Sequence, residues 1–438
     1  MPERRFYTLS NEDRFDAIIV GAGPAGSACA YTLAKEGRSV LMIERGDTPG
    51  AKNVTGGRLY TYALEMLEEG LSQEAALERQ VTHEQIMMLS GDRSINIDYH
   101  NPAFNAADQP PMSYTVLRAV FDEWLAGKAE EMGAMLVCGI MVDDLIEQEG
   151  KVVGVKAAED EMYADIVIAA DGVNSFMAQK AGLIPDIKQE SVGIGVKEVI
   201  ELPAETIAQC FHIKEDEGAA RMLLGCTEGV HGGGFLYTNQ DSISLGAVFM
   251  PEGAAEKKRS VHEMFQELKM HPSIQPLIEG GETVEYAAHL VGEAGYRGIP
   301  KKLYREGFLM IGDAAGFVIN TGTSIRGIDL AILSGIAAAK AVIGAENAAA
   351  TGAKYMKELE NIELLPIMRA VDGYFDILET PLIYDKLPNL ANDVFDSLFT
   401  VHGDVPEKMS KNIMKLVKTN GLSIWQFIKL GIKGVRSI

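Results

Sequence analysis

The sequence predicts an α/β fold with a Rossmann-like domain, an interleaved β-sheet domain and a helical C-terminal region. Three observations carry that prediction. A short apolar run, DAIIV (16–20), leads at once into GAGPAG, a small-residue helix, SACAYTLAKEG, and a second apolar strand, SVLMIE. Two later apolar strands run into Asp-Gly or Gly-Asp turns, in YADIVIAADGVNS (163–175) and FLMIGDAAGFVINTGTSIRGIDLAILSG (308–335). Between them, VGIGVKEVIEL and SISLGAVFM read as strands of a second, sheet-rich part. The 438 residues exceed the usual size of one domain. The expected division is 1–184 and 285–350 for two parts of the Rossmann-like domain, 185–284 for the sheet-rich domain, and 351–438 for the helical region.

The first element is the most specific. GAGPAG places Gly21, Gly23 and Gly26 in GxGxxG spacing inside a β-α-β unit, with Ala25 among them. Gly21 allows the tight turn, Gly23 lets the backbone approach a pyrophosphate, and Gly26 permits close helix–strand packing. The helix N-terminus then offers unpaired N–H groups to the phosphates. Glu44 ends the second strand about 20 residues further on, where an acceptor for a ribose hydroxyl belongs. The chain is therefore expected to bind a dinucleotide.

Composition narrows the remaining classes. The formal net charge of −22 argues against a general nucleic-acid binder, which needs a basic face. The four cysteines, Cys29, Cys138, Cys210 and Cys226, are scattered and form no CxxC pair. No iron–sulfur cluster or zinc site in this chain is expected from them, and the lack of a disulfide pattern suits a reducing cytoplasm. The N-terminal stretch has no apolar core of a signal peptide, and no apolar run reaches the roughly 18 residues of a membrane span. The segment from Glu407 to Ile438 nevertheless carries Lys408, Lys411, Lys415, Lys418, Lys429, Lys433 and Arg436 against the single acid Glu407. With Trp425, Phe427, Ile428 and Leu430 interleaved, it reads equally as a membrane-surface segment or as a solvated basic helix or docking face for an acidic partner.

The later turns separate one dinucleotide from another. The first presents Ala170, Asp171 and Gly172 at a strand end; the second presents Gly312 and Asp313, whose carboxylate suits ribityl hydroxyls. A helix expected to begin near Thr323 would aim its N–H groups at the N1/O2 edge of a flavin. GxGxxG, a DG motif and a GD motif in that order resemble the glutathione-reductase-like FAD-dependent oxidoreductases. In that resemblance Arg118, in TVLRAVFDEWLA, matches an arginine placed near the FAD phosphates and ribityl chain; otherwise it is a solvated helix charge. Only one GxGxxG is present, so no separate nicotinamide domain is expected.

HGGGFLY (231–237) reads by itself as a loose turn opening a strand. Taken with ERGDTPGAKNVTGGRLY (44–60), EYAAHLVGEAGYRGIPK (285–301) and GTSIRGIDLAILSG (322–335), it is similar to the electron-transfer-flavoprotein:quinone oxidoreductases, most closely the FixC/EtfC-type flavoproteins. The resemblance covers essentially the whole chain. It implies FAD held also by Arg45, Lys52, Asn53, Gly322 and Thr323, and a quinone head group beside the backbone of Gly232 and Gly233. It implies a menaquinone or related quinone as electron acceptor and an EtfAB-type flavoprotein heterodimer as donor. Because the C-terminal four-cysteine domain of the mitochondrial-type enzymes is missing, it further implies a separate small ferredoxin-like subunit, within a complex able to bifurcate NADH electrons between quinone and ferredoxin. The expected location is the cytoplasm, peripheral to the inner face of the membrane. Competing readings on the same fold are a geranylgeranyl-reductase-type isoprenoid saturase and a non-catalytic electron-relay subunit. No acid–base side chain is singled out. His289 reads as a packed strand histidine, and Tyr296 and Arg297 either deliver protons or hold their loop.

Overall fold

A computed structural model of the chain describes residues 14–51, 57–101, 112–185, 192–403, 405, 407–423, 425–426 and 429. Lys52 and Asn53 lie outside the described residues, as do Phe427, Ile428, Leu430, Lys433 and Arg436 of the basic tail. Two large sheets organise the described part. The first, eight-stranded, has a parallel centre in which Arg14–Val20 lies between Asp160–Ala169 and Val40–Glu44. Phe308–Met310 continues it beyond Asp160–Ala169, and Met135–Cys138 beyond Val40–Glu44. Helices cover its faces, so the central strands are apolar runs rather than alternating ones: Ala17, Ile18 and Ile19 are fully buried.

The helices Pro24–Lys35 and Ile328–Gly344 pack on this sheet and on each other. Their contact depends on missing side chains. A Cβ on Gly335 would lie 2.3 Å from the Ala25 carbonyl oxygen and 2.9 Å from the Cys29 nitrogen. Ile328–Gly344 is buried along nearly its whole circumference, which explains its continuously apolar sequence.

The second sheet has nine strands and is mostly antiparallel. It is not confined to 185–284. Four of its strands, Gly57–Tyr60, Gln80–Ser90, Arg93–His100 and Ser113–Val116, come from within 1–184, and Glu282–Gly292 crosses the expected boundary at 284. The join is the parallel pairing of Gln80–Ser90 with Glu217–Leu224. Such a pairing links distant segments through backbone hydrogen bonds, so local patterning does not reveal it. The strands read from the sequence stand at Val192–Glu201 and Ser242–Phe249, and HGGGFLY forms the strand Gly232–Thr238 between Glu217–Leu224 and Ser242–Phe249.

The C-terminal region is helical, with Leu364–Ala370, Asp372–Leu378, Lys386–Phe399 and Met409–Thr419 as its main elements after Ala348–Asn361. Among the described residues no helix is long and apolar enough to cross a membrane.

Two glycines in helices test this packing in opposite senses. Gly335→Ala is expected to destabilise the protein by about 1–3 kcal/mol through overpacking. Gly127, in the helix Arg118–Glu131, has nothing within 4 Å of its would-be Cβ, so Gly127→Ala should stabilise by roughly 0.5–1 kcal/mol. Denaturant midpoints of the two variants check both signs.

Candidate functional site

The carboxyl ends of the parallel strands bring most of the sequence-derived candidates to one edge. Gly21 leaves the first strand at φ +105°, and a Cβ there would lie 2.3 Å from the Ala170 carbonyl oxygen. A Cβ on Gly26 would lie 2.0 Å from the Gly21 carbonyl oxygen. Gly23 caps the helix Pro24–Lys35, with proline at its first position, where no N–H is needed. The Glu44 carboxylate accepts from the Ala22 N–H (3.0 Å) and the Gly46 N–H (2.6 Å), so it is held against the glycine turn. Arg45 is exposed beside it and acts electrostatically on Asp171.

Asp171 follows the strand end at Ala170, whose N–H bonds to the Val20 carbonyl at 2.8 Å. Its Oδ2 accepts from the Met177 N–H at 2.9 Å, whereas its Oδ1 is buried without a hydrogen-bond partner. Burial pushes its pKa up to about 6, against the pull of the helix-terminal N–H groups and Arg45. Gly172 turns the chain at φ +76°. At the neighbouring strand end Gly312 adopts φ +62° and its N–H bonds to Ser334 Oγ at 2.8 Å. Ala25 closes the gap, since a Cβ on Gly312 would approach the Ala25 Cβ to 2.8 Å.

Arg118 opens its helix and makes a bidentate pair with the fully buried Asp122, 2.7 Å on each arm. Its Nη2 would lie 3.7 Å from a Cβ on Gly23, so the guanidinium stands over the glycine turn. Three more titratable groups share its field: Asp313, Lys197 and His289. Surrounding protein raises the Asp313 carboxyl, and Arg118 and Lys197 draw it back down. Burial, then Arg118, lowers Lys197 to about 8, with Asp313 opposing. His289 is lowered to about 4 by burial, Lys197 and Arg118, so its imidazole is neutral at pH 7; its Nδ1 has no hydrogen-bond partner. Asp313 is exposed at the carboxyl end of its strand, within the field of Arg118 and Lys197. This clustering of backbone cradle, orphaned carboxylate oxygen and balanced charges fits a dinucleotide with a ribityl chain. Glu44, Asp171, Arg118 and Asp313 would hold FAD there.

The helix expected to face a flavin begins later than the sequence suggests. Ile328–Gly344 starts at Ile328, and Thr323 instead lies in the turn of a hairpin pairing Ile319–Asn320 with Ile325–Arg326. Gly322 takes φ +79°, its N–H donates to Asn320 Oδ1 at 2.8 Å, and Thr321 Oγ1 accepts from the Ser324 N–H at 3.1 Å. These short side chains satisfy local backbone groups and so compete with helix formation. Arg326 ties the hairpin to the helix start through Asp329, assisted by Tyr62.

A second opening lies between the nine-stranded sheet, this hairpin and the C-terminal helices. Its volume is about 80 Å³, and Gly232, Gly233, Glu293, Tyr296, Phe375 and Tyr384 are among its walls. The three glycines there have different reasons. Gly232 sits at φ +151° with its would-be Cβ 2.0 Å from the Val248 carbonyl oxygen, and Gly234 is hemmed in by Cys226, Gly246 and Leu223. Gly233 is the least crowded of the three: its would-be Cβ meets one atom, the Leu223 carbonyl oxygen at a tight 3.3 Å, and its backbone lines the slot. Arg297 holds the loop: it pairs with Asp372 and Asp376 and lies 4.8 Å from the Phe375 ring centre. Sequence reasoning missed Lys197, Asp122, Asn320 and Glu293. A lysine following the apolar run VGIGV was the one available signal for Lys197.

Comparison with known proteins agrees with this architecture. Residues 14–271 match the FAD binding domain family, and residues 375–438 match the ETF-QO/FixC family C-terminal domain. The chain is 45% identical over 430 residues to Protein FixC of Escherichia coli O157:H7, covering 97% of this chain and 99% of that protein. It is 42% identical over 437 residues to the probable electron transfer flavoprotein-quinone oxidoreductase YdiS of Escherichia coli K12, covering 98% and 100%. Among solved structures, a geranylgeranyl bacteriochlorophyll reductase-like protein from Thermoplasma acidophilum superposes with a TM-score of 0.69 at 19% identity, over 93% of this chain and 98% of that one, which is a likeness of fold. The chain is an FAD-dependent oxidoreductase and belongs to the ETF-QO/FixC family.

Proposed function

We propose that the protein passes electrons from an EtfAB-type flavoprotein, through its FAD, to a membrane quinone of the menaquinone class. The observation that carries this reading is the slot in which the open backbone of Gly233 faces the hairpin that follows the Gly312–Asp313 turn. FAD, when bound, supplies two-electron redox chemistry. The rest is positioning by this chain. A bare strand backbone allows a flat ring to approach closely, Phe375, Met222 and Val248 accept its apolar flanks, and the sheet keeps the wall rigid. Arg118, Lys197 and Asp313 surround the cleft with both signs of charge, which suits an environment where negative charge comes and goes.

The surface supports a membrane-peripheral role on the cytoplasmic side. Phe395, Leu398, Phe399, Val401, Met409, Ile413 and Met414 are exposed on the last two long helices and the segment between them, with Val401 88% accessible. Lys408, Lys411, Lys415 and Lys418 accompany them, a composition that favours anionic lipid. A separate ferredoxin-like subunit and bifurcation of NADH electrons between quinone and ferredoxin complete the proposal, by analogy with the family.

The decisive experiment reduces the FAD-loaded protein anaerobically and mixes it with a menaquinone analogue. Prompt reoxidation of the flavin is expected; a persistently reduced flavin that instead saturates a polyprenyl chain overturns the reading. Gly233→Val should slow that reoxidation at least tenfold while FAD content stays unchanged, with Gly233→Ala intermediate. The double variant Phe399→Glu, Val401→Glu should weaken co-sedimentation with anionic vesicles by tenfold or more. Its reoxidation by a short-chain, water-soluble quinone should match the parent protein.

A further inference from the structure

We infer that Glu293 is the proton donor to the quinone in the Gly232–Gly233 slot, recharged from solvent by way of His231; this rests on the quinone reading above. Glu293 follows the strand Glu282–Gly292 and lines the slot together with both glycines. Its Oε2 accepts from Asn320 Nδ2 at 3.0 Å, and Asn320 is itself fixed by the Gly322 N–H. The carboxyl is therefore oriented by the hairpin, with no cation paired to it among the described residues.

The remaining titratable groups around the slot are accounted for. Asp372 is paired with Arg297, and Tyr296 stands beside it in the loop. The Tyr384 hydroxyl donates to the Leu378 carbonyl at 2.7 Å, and its pKa is raised by burial, then by Glu293 and Glu379. The His231 ring stacks on Tyr384 with ring centres 4.7 Å apart, and its Nδ1 lies 3.8 Å from Glu379 Oε1. Glu379 is half exposed, so Glu379 and His231 lead from solvent to the slot. Burial lowers the His231 pKa, leaving a neutral ring able to take up and release a proton. Burial raises Glu293 to about 7, with the Asn320 hydrogen bond opposing. Glu293 thus holds its proton below about pH 7 and loses it above, unlike an ordinary carboxyl.

The proton count requires such a group. Converting a quinone to a quinol forms two O–H bonds and consumes two electrons and two protons. Both electrons and one proton come from the reduced flavin. The second proton leaves Glu293: its O–H bond breaks as the second quinol O–H forms, and the carboxylate then regains a proton from water through His231.

Two measurements test this on the FAD-loaded protein. Infrared titration of the oxidised protein should show a protonated carboxyl band that disappears as pH rises through about 7 and is missing in Glu293→Gln. Flavin reoxidation by the menaquinone analogue should fall as pH rises above 7, approaching tenfold per pH unit. Glu293→Gln should be at least tenfold slower and lose that pH dependence, with Glu293→Asp partly restoring both. No such carboxyl band in the parent protein, or a parental rate and pH profile in Glu293→Gln, overturns the assignment. Failure of the parent protein to be reoxidised at any pH overturns the quinone reading instead.

Discussion

Three contacts between bare backbones hold the nucleotide edge together. Gly21 lies against the Ala170 carbonyl, Gly26 against the Gly21 carbonyl, and Gly335 against the Ala25 carbonyl. Each is closer than any Cβ would permit. Together they lock the first strand, the first helix and the long buried helix into one rigid corner. Close-packed interiors transmit displacement, so a shift at any of these positions would move the others. At this corner Glu44, Arg118, Asp171 and Asp313 gather at one edge of the sheet although they come from four separate segments.

Charge is arranged around the cleft rather than removed from it. Arg118 is neutralised by buried Asp122, an arrangement that supports a buried guanidinium only because both of its arms are satisfied. Lys197 and Asp313 then act on each other and on Arg118 across the cleft wall. His289, kept neutral by burial and then by these cations, is a strand residue beside the charged group. The apolar slot beyond is different in kind: its one strongly perturbed carboxyl, Glu293, meets an asparagine and, among the described residues, no cation. The hairpin borders the slot through Asn320 and leads directly into the long buried helix.

That hairpin also shows where local pattern misleads. The sequence places a helix start near Thr323, yet only the part of GTSIRGIDLAILSG from Ile328 is helical. The preceding Asn320 and Thr321 side chains accept from the N–H groups of Gly322 and Ser324, and Gly322 turns left-handed, so the chain folds back before the helix can start. Thr323 consequently stands at a turn, while Asn320 gains the task of orienting Glu293.

The sequence by itself determined the β-α-β unit, the order of the three nucleotide turns and the placement of the strand carrying the three glycines. Those features are written in contiguous residues, as apolar periodicity and as turns that only glycine forms readily. Tertiary structure alone decided which segments build the second sheet, because parallel pairing of Gln80–Ser90 with Glu217–Leu224 joins residues far apart in the chain. It alone distinguished the glycines: Gly232 and Gly234 are hemmed in by several atoms, whereas Gly233 meets a single backbone oxygen. It also brought Lys197 to Arg118 and Glu293 to Gly233. A side chain's field and its desolvation depend on neighbours supplied by other segments, and no local pattern carries that information.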